Sequence, residues 1–158
     1  MKKLLLSLVL LNVLSSAFLK ADEVQVAVAS NFSKPLENLA SAFKASSGHD
    51  LKISAGATGK LYAQIENGAP FEVFLSADSK TPKKLVEAQL AVADSQFTYA
   101  LGKLVLWSST QDYVDAQGEV LKKNGFKHIA LANPNTAPYG AAALEVLEHL
   151  GLTKALAA

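Results

Sequence analysis

The sequence predicts an α/β fold with mostly parallel sheets, arranged as two lobes. Apolar runs of strand length alternate with segments whose apolar residues recur at helical spacing. Such alternation is typical of parallel strands joined by right-handed helical crossovers. Near residue 97 the pattern changes to a longer apolar run followed by a polar stretch. We therefore expect a first lobe over 22–96 and a partial second lobe over 97–158.

The first lobe is expected to contain three strand–helix units. Ser33 is a candidate cap for the first helix, and Gly48 and Gly68 are positioned to end the first and second helices. The three strands are predicted at 24–28, 51–53 and 71–75, with helices that begin near residues 33, 58 and 81.

The second lobe is expected to begin with a strand and to stop before it is closed. Its apolar runs predict strands at 101–107 and 129–132 and helices near 120, over 139–150 and from 153.

The first 21 residues are typical of an export signal. Lys2 and Lys3 form a basic start, an apolar run follows over 4–14, and small residues precede a cleavage site after Ala17 or Ala21. We expect residues 1–17 or 1–21 to be removed on export to the periplasm.

The composition argues against several functional classes. Every basic residue is Lys, and after removal of the signal the acidic residues outnumber the basic ones, which argues against a nucleic-acid partner. Cysteine is absent, so the chain folds without disulfides and has no thiolate metal site.

The stretch SAGATGKL, residues 54–61, superficially resembles a phosphate-binding loop. In that loop four residues separate the two glycines and a hydroxyl follows the Lys, whereas only two separate Gly56 and Gly59 and Leu61 occupies the hydroxyl position. A nucleotide loop is therefore disfavoured. A small-residue turn that enters a helix still offers N–H groups to an anion.

Three loops are predicted to share one edge of the fold. Ser30-Asn31, Ala57-Thr58 and Pro138-Tyr139-Gly140 each follow an apolar run and precede a helix. Ligands of open parallel sheets bind beyond the carboxyl ends of the strands, where helix N-termini also point. We expect these loops to hold a small oxyanion through hydroxyl, amide and N–H donors.

At these residues the sequence resembles a known family. Four stretches resemble the periplasmic molybdate-binding proteins of ABC importers: VAVASNFSKPLENLASAFK, GATGKLYAQIENGAPFEVFLSAD, FTYALGKLVLW and ANPNTAPYGAAALEVLEHLGL. The resemblance runs from about Asp22 to the last residue. It implies a two-lobed, type II periplasmic binding fold that closes around molybdate or tungstate and delivers it to the membrane permease of an ABC transporter.

The resemblance also implies a ligand set. The first-loop hydroxyl of the family corresponds to Ser30, with Asn31 beside it as in one subgroup. The second-loop Ser of many members corresponds to Thr58, and a backbone N–H from the second lobe corresponds to Tyr139. Molybdate would thus bind through Ser30, Asn31, Thr58 and Tyr139, with Ser30 and Thr58 supplying hydroxyls and without a cofactor. Family members continue past residue 158, so we expect this sequence to be C-terminally truncated.

The other polar and aromatic residues are assigned structural roles. Lys60 is expected to be solvated, and Asp78 is expected to be a cap or turn residue before the next helix. Tyr99 and Trp107 are expected to be core or lobe-surface aromatics rather than ligands. Three histidines have no partner four residues away, so a metal site is disfavoured: His49, His128 and His149.

Alternative functions remain open from the sequence. The chain could bind another oxyanion, such as sulfate, thiosulfate or phosphonate. A different class is an exported hydrolase of phosphate esters, but that enzyme needs a nucleophile or a metal cluster, and the sequence shows neither. We expect a monomeric binding protein rather than an enzyme.

Overall fold

A computed structural model describes residues 22–123 and 125–156. The predicted signal peptide, residues 1–21, lies outside the described residues. The strands are β1 Glu23–Ala29, β2 Asp50–Gly56 and β3 Val73–Leu75. The helices are α1 Ser33–Ser47, α2 Thr58–Glu66, α3 Lys80–Glu87, α4 Val120–Lys123, α5 Pro138–His149 and α6 Thr153–Leu156.

The three strands form one parallel sheet in the order β2-β1-β3. Ala29 of β1 lies opposite Gly56 of β2, and Val28 lies opposite Leu75 of β3. Because all three strands run the same way, their carboxyl ends meet at one edge. The prediction of an α/β fold with a parallel sheet is confirmed.

The central strand β1 forms the core of the sheet. Its last four residues are buried, and the side chain of Val28 is completely enclosed. Val26, Val28 and Leu36 of α1 form one apolar cluster. The four buried residues of β1 are apolar on both faces of the strand. This is usual in parallel sheets, where neighbouring strands pair with both edges and helices cover both faces.

The first two helices end as the sequence predicts, but the first begins differently. Gly48 and Gly68 adopt left-handed φ angles of 79° and 84°, a conformation that glycine enters without steric cost. Ser33 is not a cap, because it is the first helical residue and Phe32 occupies the cap position. The Ser33 hydroxyl instead donates to the Ser30 carbonyl oxygen at 3.0 Å.

The predicted strands at 101–107 and 129–132 are not strands in the structure. A strand needs a neighbouring strand to accept its backbone hydrogen bonds, and neither run pairs with another within the described part of the chain. The first run stays open to solvent: Leu101 is 91% exposed and Trp107 is 77% exposed. In this part of the chain an apolar cluster of Val120, Leu121 and Leu147 instead joins α4 to α5.

Within the ranges 22–123 and 125–156, no helix has both the length and the apolar character needed to cross a bilayer.

Gly140 fixes how closely α5 approaches the segment before it. A Cβ at this position would overlap the carbonyl oxygen of Ala132 and lie 2.7 Å from its carbonyl carbon. Both atoms belong to the backbone and cannot rotate away, so only glycine permits this packing.

We predict that Gly140→Ala destabilises the chain by about 1–3 kcal/mol, the usual cost of overpacking. The higher helix propensity of Ala offsets at most about 1 kcal/mol of that loss. Urea denaturation followed by circular dichroism measures the difference. Gly125→Ala is the matched control, because its nearest contact would be the Tyr113 hydroxyl at 3.8 Å, and it should leave stability unchanged or slightly higher. Equal stability of the two variants would contradict this account.

Candidate functional site

The candidate site lies at the carboxyl edge of the sheet. Because Ala29 pairs with Gly56, the residues that follow them, Ser30 and Ala57, lie side by side at that edge. The loop after β3 reaches the same edge, and the Ala77 N–H in that loop donates to the Thr58 hydroxyl oxygen at 3.2 Å. The sheet register therefore brings the first two predicted loops together.

Among the described residues, the Thr58 hydroxyl proton has no acceptor. The residue starts α2 and is only 2% exposed. Its oxygen accepts the Ala77 N–H, and within the described part of the chain its hydroxyl donates to no other group. A hydroxyl has one proton and two lone pairs, so an occupied lone pair leaves the proton available to an acceptor elsewhere.

The loop after β3 is fixed by its own side chains. The Asp78 carboxylate accepts the Thr81 N–H at 2.8 Å and the Thr81 hydroxyl at 3.1 Å. The Ser76 hydroxyl oxygen accepts the Asp78 N–H at 3.2 Å. Asp78 thus satisfies the Thr81 N–H in the first turn of α3, which confirms the prediction that Asp78 acts as a cap or turn residue.

The turn before α5 contacts the start of α2 directly. The Gly59 N–H donates to the Thr136 carbonyl oxygen at 2.8 Å. One of the helix N–H groups predicted to face an anion is therefore already bonded, and the GATG turn is a partial anion cradle at most. The glycine allows this approach, since a Cβ at position 59 would lie 3.2 Å from two backbone atoms of Thr136.

The first turn of α5 leaves one donor open. Pro138 has no N–H, and the N–H groups of Gly140 and Ala141 donate to the Ala137 carbonyl oxygen at 2.9 and 3.2 Å. The Tyr139 N–H has no acceptor among the described residues. It also lies at the end of the helix where the partial positive charge is concentrated.

Thr58 and Tyr139 line the same cleft, which has a volume of about 740 Å³. Its charged lining residues are Asp78, Lys80, Lys84 and Glu145. Of the predicted ligands, Ser30 and Asn31 are exposed on the neighbouring loop and are not among the residues that line the cleft. Thus two predicted ligands share the cleft and two lie beside it.

Tyr99 connects the Ser30-Asn31 loop to the rest of the site. Its ring meets the ring of Phe32 edge to face, with centroids 4.9 Å apart, and its hydroxyl donates to the Ser76 carbonyl oxygen at 2.7 Å. Burial, and secondarily the nearby Tyr139, raises the pKa of the Tyr99 hydroxyl, which keeps it protonated as a donor. No local sequence pattern indicates these contacts, because the partners of Tyr99 lie 23 or more residues away along the chain.

The open donors of the cleft suit an anion better than a metal ion. Hydroxyl and N–H protons point positive charge at a ligand, whereas a cation needs several lone-pair donors. In the ranges that the structure covers, no three His, Asp or Glu side chains are placed to share a metal ion. Lys60 is exposed and does not line the cleft.

Comparison with known proteins identifies the family. A family model described as bacterial extracellular solute-binding protein matches residues 24–158. The chain belongs to this family. Its sequence is 61% identical over 136 residues to the molybdate-binding protein ModA of Azotobacter vinelandii, covering 86% of this chain and 54% of that protein. The corresponding protein of Rhodobacter capsulatus is 51% identical with the same coverage.

Solved structures agree with these sequence relatives. The periplasmic molybdate-binding protein of Azotobacter vinelandii superimposes with a TM-score of 0.83 and 52% identity, covering 85% of this chain and 58% of that one. The substrate binding domain of a putative molybdenum ABC transporter from Clostridium difficile gives 0.64 and 31%, covering 86% and 59%. The resemblance seen in the sequence and the predicted fold class are confirmed. The chain spans about half the length of the curated relatives it matches.

We predict that Thr58→Val exposes the role of its hydroxyl as an acceptor. Valine keeps the shape of the buried side chain but leaves the Ala77 N–H without its partner, which costs about 1–3 kcal/mol. Urea denaturation measures that loss, and amide hydrogen exchange at Ala77 should become faster. Thr58→Ser is the control, since it keeps the oxygen and should keep the Ala77 amide protected. Unchanged exchange in Thr58→Val would show that the bond does not form in solution.

Proposed function

We propose that this protein captures molybdate or tungstate outside the cytoplasm and delivers it to the membrane permease of an ABC transporter. The observation that carries the proposal is the pair of open donors in one cleft, the Thr58 hydroxyl and the Tyr139 N–H. The names of the relatives, which are molybdate-binding proteins, support this choice of oxyanion.

In this proposal the oxyanion is held by neutral donors. Thr58 and Tyr139 bind it from the cleft, and Ser30 and Asn31 complete its shell from the adjacent loop. A dianion loses much hydration on burial, so several donors must replace the water. Two helix N-termini near the cleft add partial positive charge without a bound counter-ion. The groups described at the site are donors that can bind a ligand, and the proposal assigns them no catalytic step.

The remaining organisation follows from the same proposal. Residues 1–17 or 1–21 act as the export signal that directs the protein to the periplasm. The binding protein works there as a monomer. Residues 22–96 form the first lobe and 97–158 contribute to the second. The separate apolar clusters on β1–α1 and on α4–α5 support this division.

Titration calorimetry with molybdate, tungstate, sulfate and phosphate tests the function. Because the chain spans about half of its relatives, it is titrated alone and also joined to the C-terminal half of the Azotobacter vinelandii protein. In at least one of the two forms we expect saturable, stoichiometric binding of molybdate and tungstate, and weaker binding of sulfate. Absence of molybdate binding in both forms would overturn the proposal, as would steady turnover of a phosphate ester.

Ser30→Ala should weaken molybdate binding roughly tenfold to a hundredfold in the form that binds. This range corresponds to the loss of one hydrogen bond to a charged group, about 1.5–3 kcal/mol. Ser47→Ala is the matched control, because Ser47 ends α1 at the opposite edge of the sheet and should leave the affinity unchanged. Calorimetry measures both, and an unaltered affinity in Ser30→Ala would remove that hydroxyl from the site.

Substitutions at Tyr139 should separate its backbone from its side chain. Tyr139→Phe keeps the N–H and should bind almost normally, since the phenol hydroxyl packs beside Gly102. Tyr139→Pro deletes the N–H, and Tyr139→Ala removes the ring while keeping it. We expect calorimetry to show much weaker binding for Pro than for Ala, with circular dichroism confirming the fold of each. A large loss in Tyr139→Phe would mean that the phenol itself is the ligand.

A further inference from the structure

A single peptide group joins two hydroxyls at the site. The carbonyl oxygen of Ser76 accepts the Tyr99 hydroxyl at 2.7 Å, and the N–H of Ala77 donates to the Thr58 hydroxyl oxygen at 3.2 Å. These two backbone atoms belong to the same planar unit, and in a trans peptide they point in opposite directions. The chain has no cis peptide among the described residues. Tyr99 and Thr58 therefore lie on opposite sides of the same peptide group.

We infer that Tyr99 is a positioning residue for oxyanion binding, acting on the Thr58 hydroxyl through the peptide group between Ser76 and Ala77. The inference rests on the proposed function, because it assigns the Thr58 proton to the bound anion. Tyr99 itself does not line the cleft that holds Thr58 and Tyr139. Its influence must travel through the peptide group rather than by contact with the ligand.

This relay, from the Tyr99 hydroxyl through the Ser76–Ala77 peptide group to the Thr58 hydroxyl, has two effects. It orients the Thr58 proton, and it polarises the peptide group. The Ala77 N–H occupies a lone pair of the Thr58 oxygen, so the Thr58 proton is turned away from Ala77. A donor on the Ser76 carbonyl polarises the peptide group and strengthens the N–H on its other side, as occurs along chains of hydrogen bonds. The Thr58 hydroxyl becomes a better and more fixed donor than a freely rotating one.

The surroundings of Tyr99 keep its hydroxyl in place. Phe32 holds the Tyr99 ring by an edge-to-face contact, and Tyr99 is about half-buried. Phe32 also ends the short 3-10 turn that carries Ser30 and Asn31. One side chain thus contacts the loop of the first two proposed ligands and orients the third.

Tyr99→Phe separates the relay from simple packing, because it keeps the ring and removes only the hydroxyl. We expect the Ala77 amide proton to shift upfield in heteronuclear NMR of the ligand-free chain. In the form that binds, we expect molybdate affinity to fall about three- to tenfold, the effect of weakening one hydrogen bond. Tyr113→Phe is the matched control, since Tyr113 lies in the loop before α4, and it should change neither quantity.

A double-mutant cycle supplies a readout that a structural role would not move. In a Thr58→Val background the relay has no hydroxyl to act on, so adding Tyr99→Phe should leave the affinity unchanged. Equal losses in both backgrounds would overturn the relay while molybdate binding by the unaltered protein still supports the proposed function. No binding by the unaltered protein in either form would overturn both.

The unaltered protein gives a further check that needs no variant. If Tyr99→Phe does not fold, as judged by its thermal melt, the ring resonances of Tyr99 are followed during a molybdate titration of the binding form. They should shift with the same saturation as the calorimetric curve. Unshifted Tyr99 resonances at saturating molybdate would overturn the relay.

Discussion

The parallel pairing of β1 with strands on both sides is the constraint on which the site depends. It buries the last four residues of β1 and fixes a register that sets the loops after β1, β2 and β3 at one edge. A shift of one residue in either pairing would move every side chain of the shifted strand to the opposite face of the sheet. The loops that follow the strands would then no longer lie side by side. The pairing of this apolar strand thus determines where the polar loops that follow the three strands lie.

The chemistry at this edge favours an anion through neutral donors, while the formal charges that line the cleft cancel. The open donors are a threonine hydroxyl and a backbone N–H, and the two helices that begin at the cleft have their partial positive ends there. Lys80 and Lys84 line the cleft, but Asp78 and Glu145 line it too, so the charges in the lining balance. Directional donors can distinguish a tetrahedral oxyanion from other anions, because they bind only where its oxygen atoms lie.

Much of the fold could be predicted from the sequence, because periodicity and turn residues are local signals. The strand–helix alternation over residues 23–87 and the glycines that end the first two helices were predicted correctly. Strands at 101–107 and 129–132 were wrongly predicted, since apolar character indicates that a run can form a strand but not that a partner exists. At the site, the loops of Ser30 and Thr58 could be placed from the sequence, because loops that follow parallel strands meet at the carboxyl ends of those strands. The Tyr99–Ser76 and Gly59–Thr136 bonds could not, because they join residues far apart in sequence.

The bond between Gly59 and Thr136 has a consequence for how this protein can evolve. Both partners are backbone atoms, so the identity of the side chain at position 136 does not decide whether the bond forms. Position 59 has no such freedom, since any added side chain presses on the Thr136 backbone, which would have to move by a few tenths of an ångström. The two positions that form this bond therefore differ in how readily they accept substitutions. Position 136 can vary, while a side chain at position 59 requires the Thr136 backbone to shift.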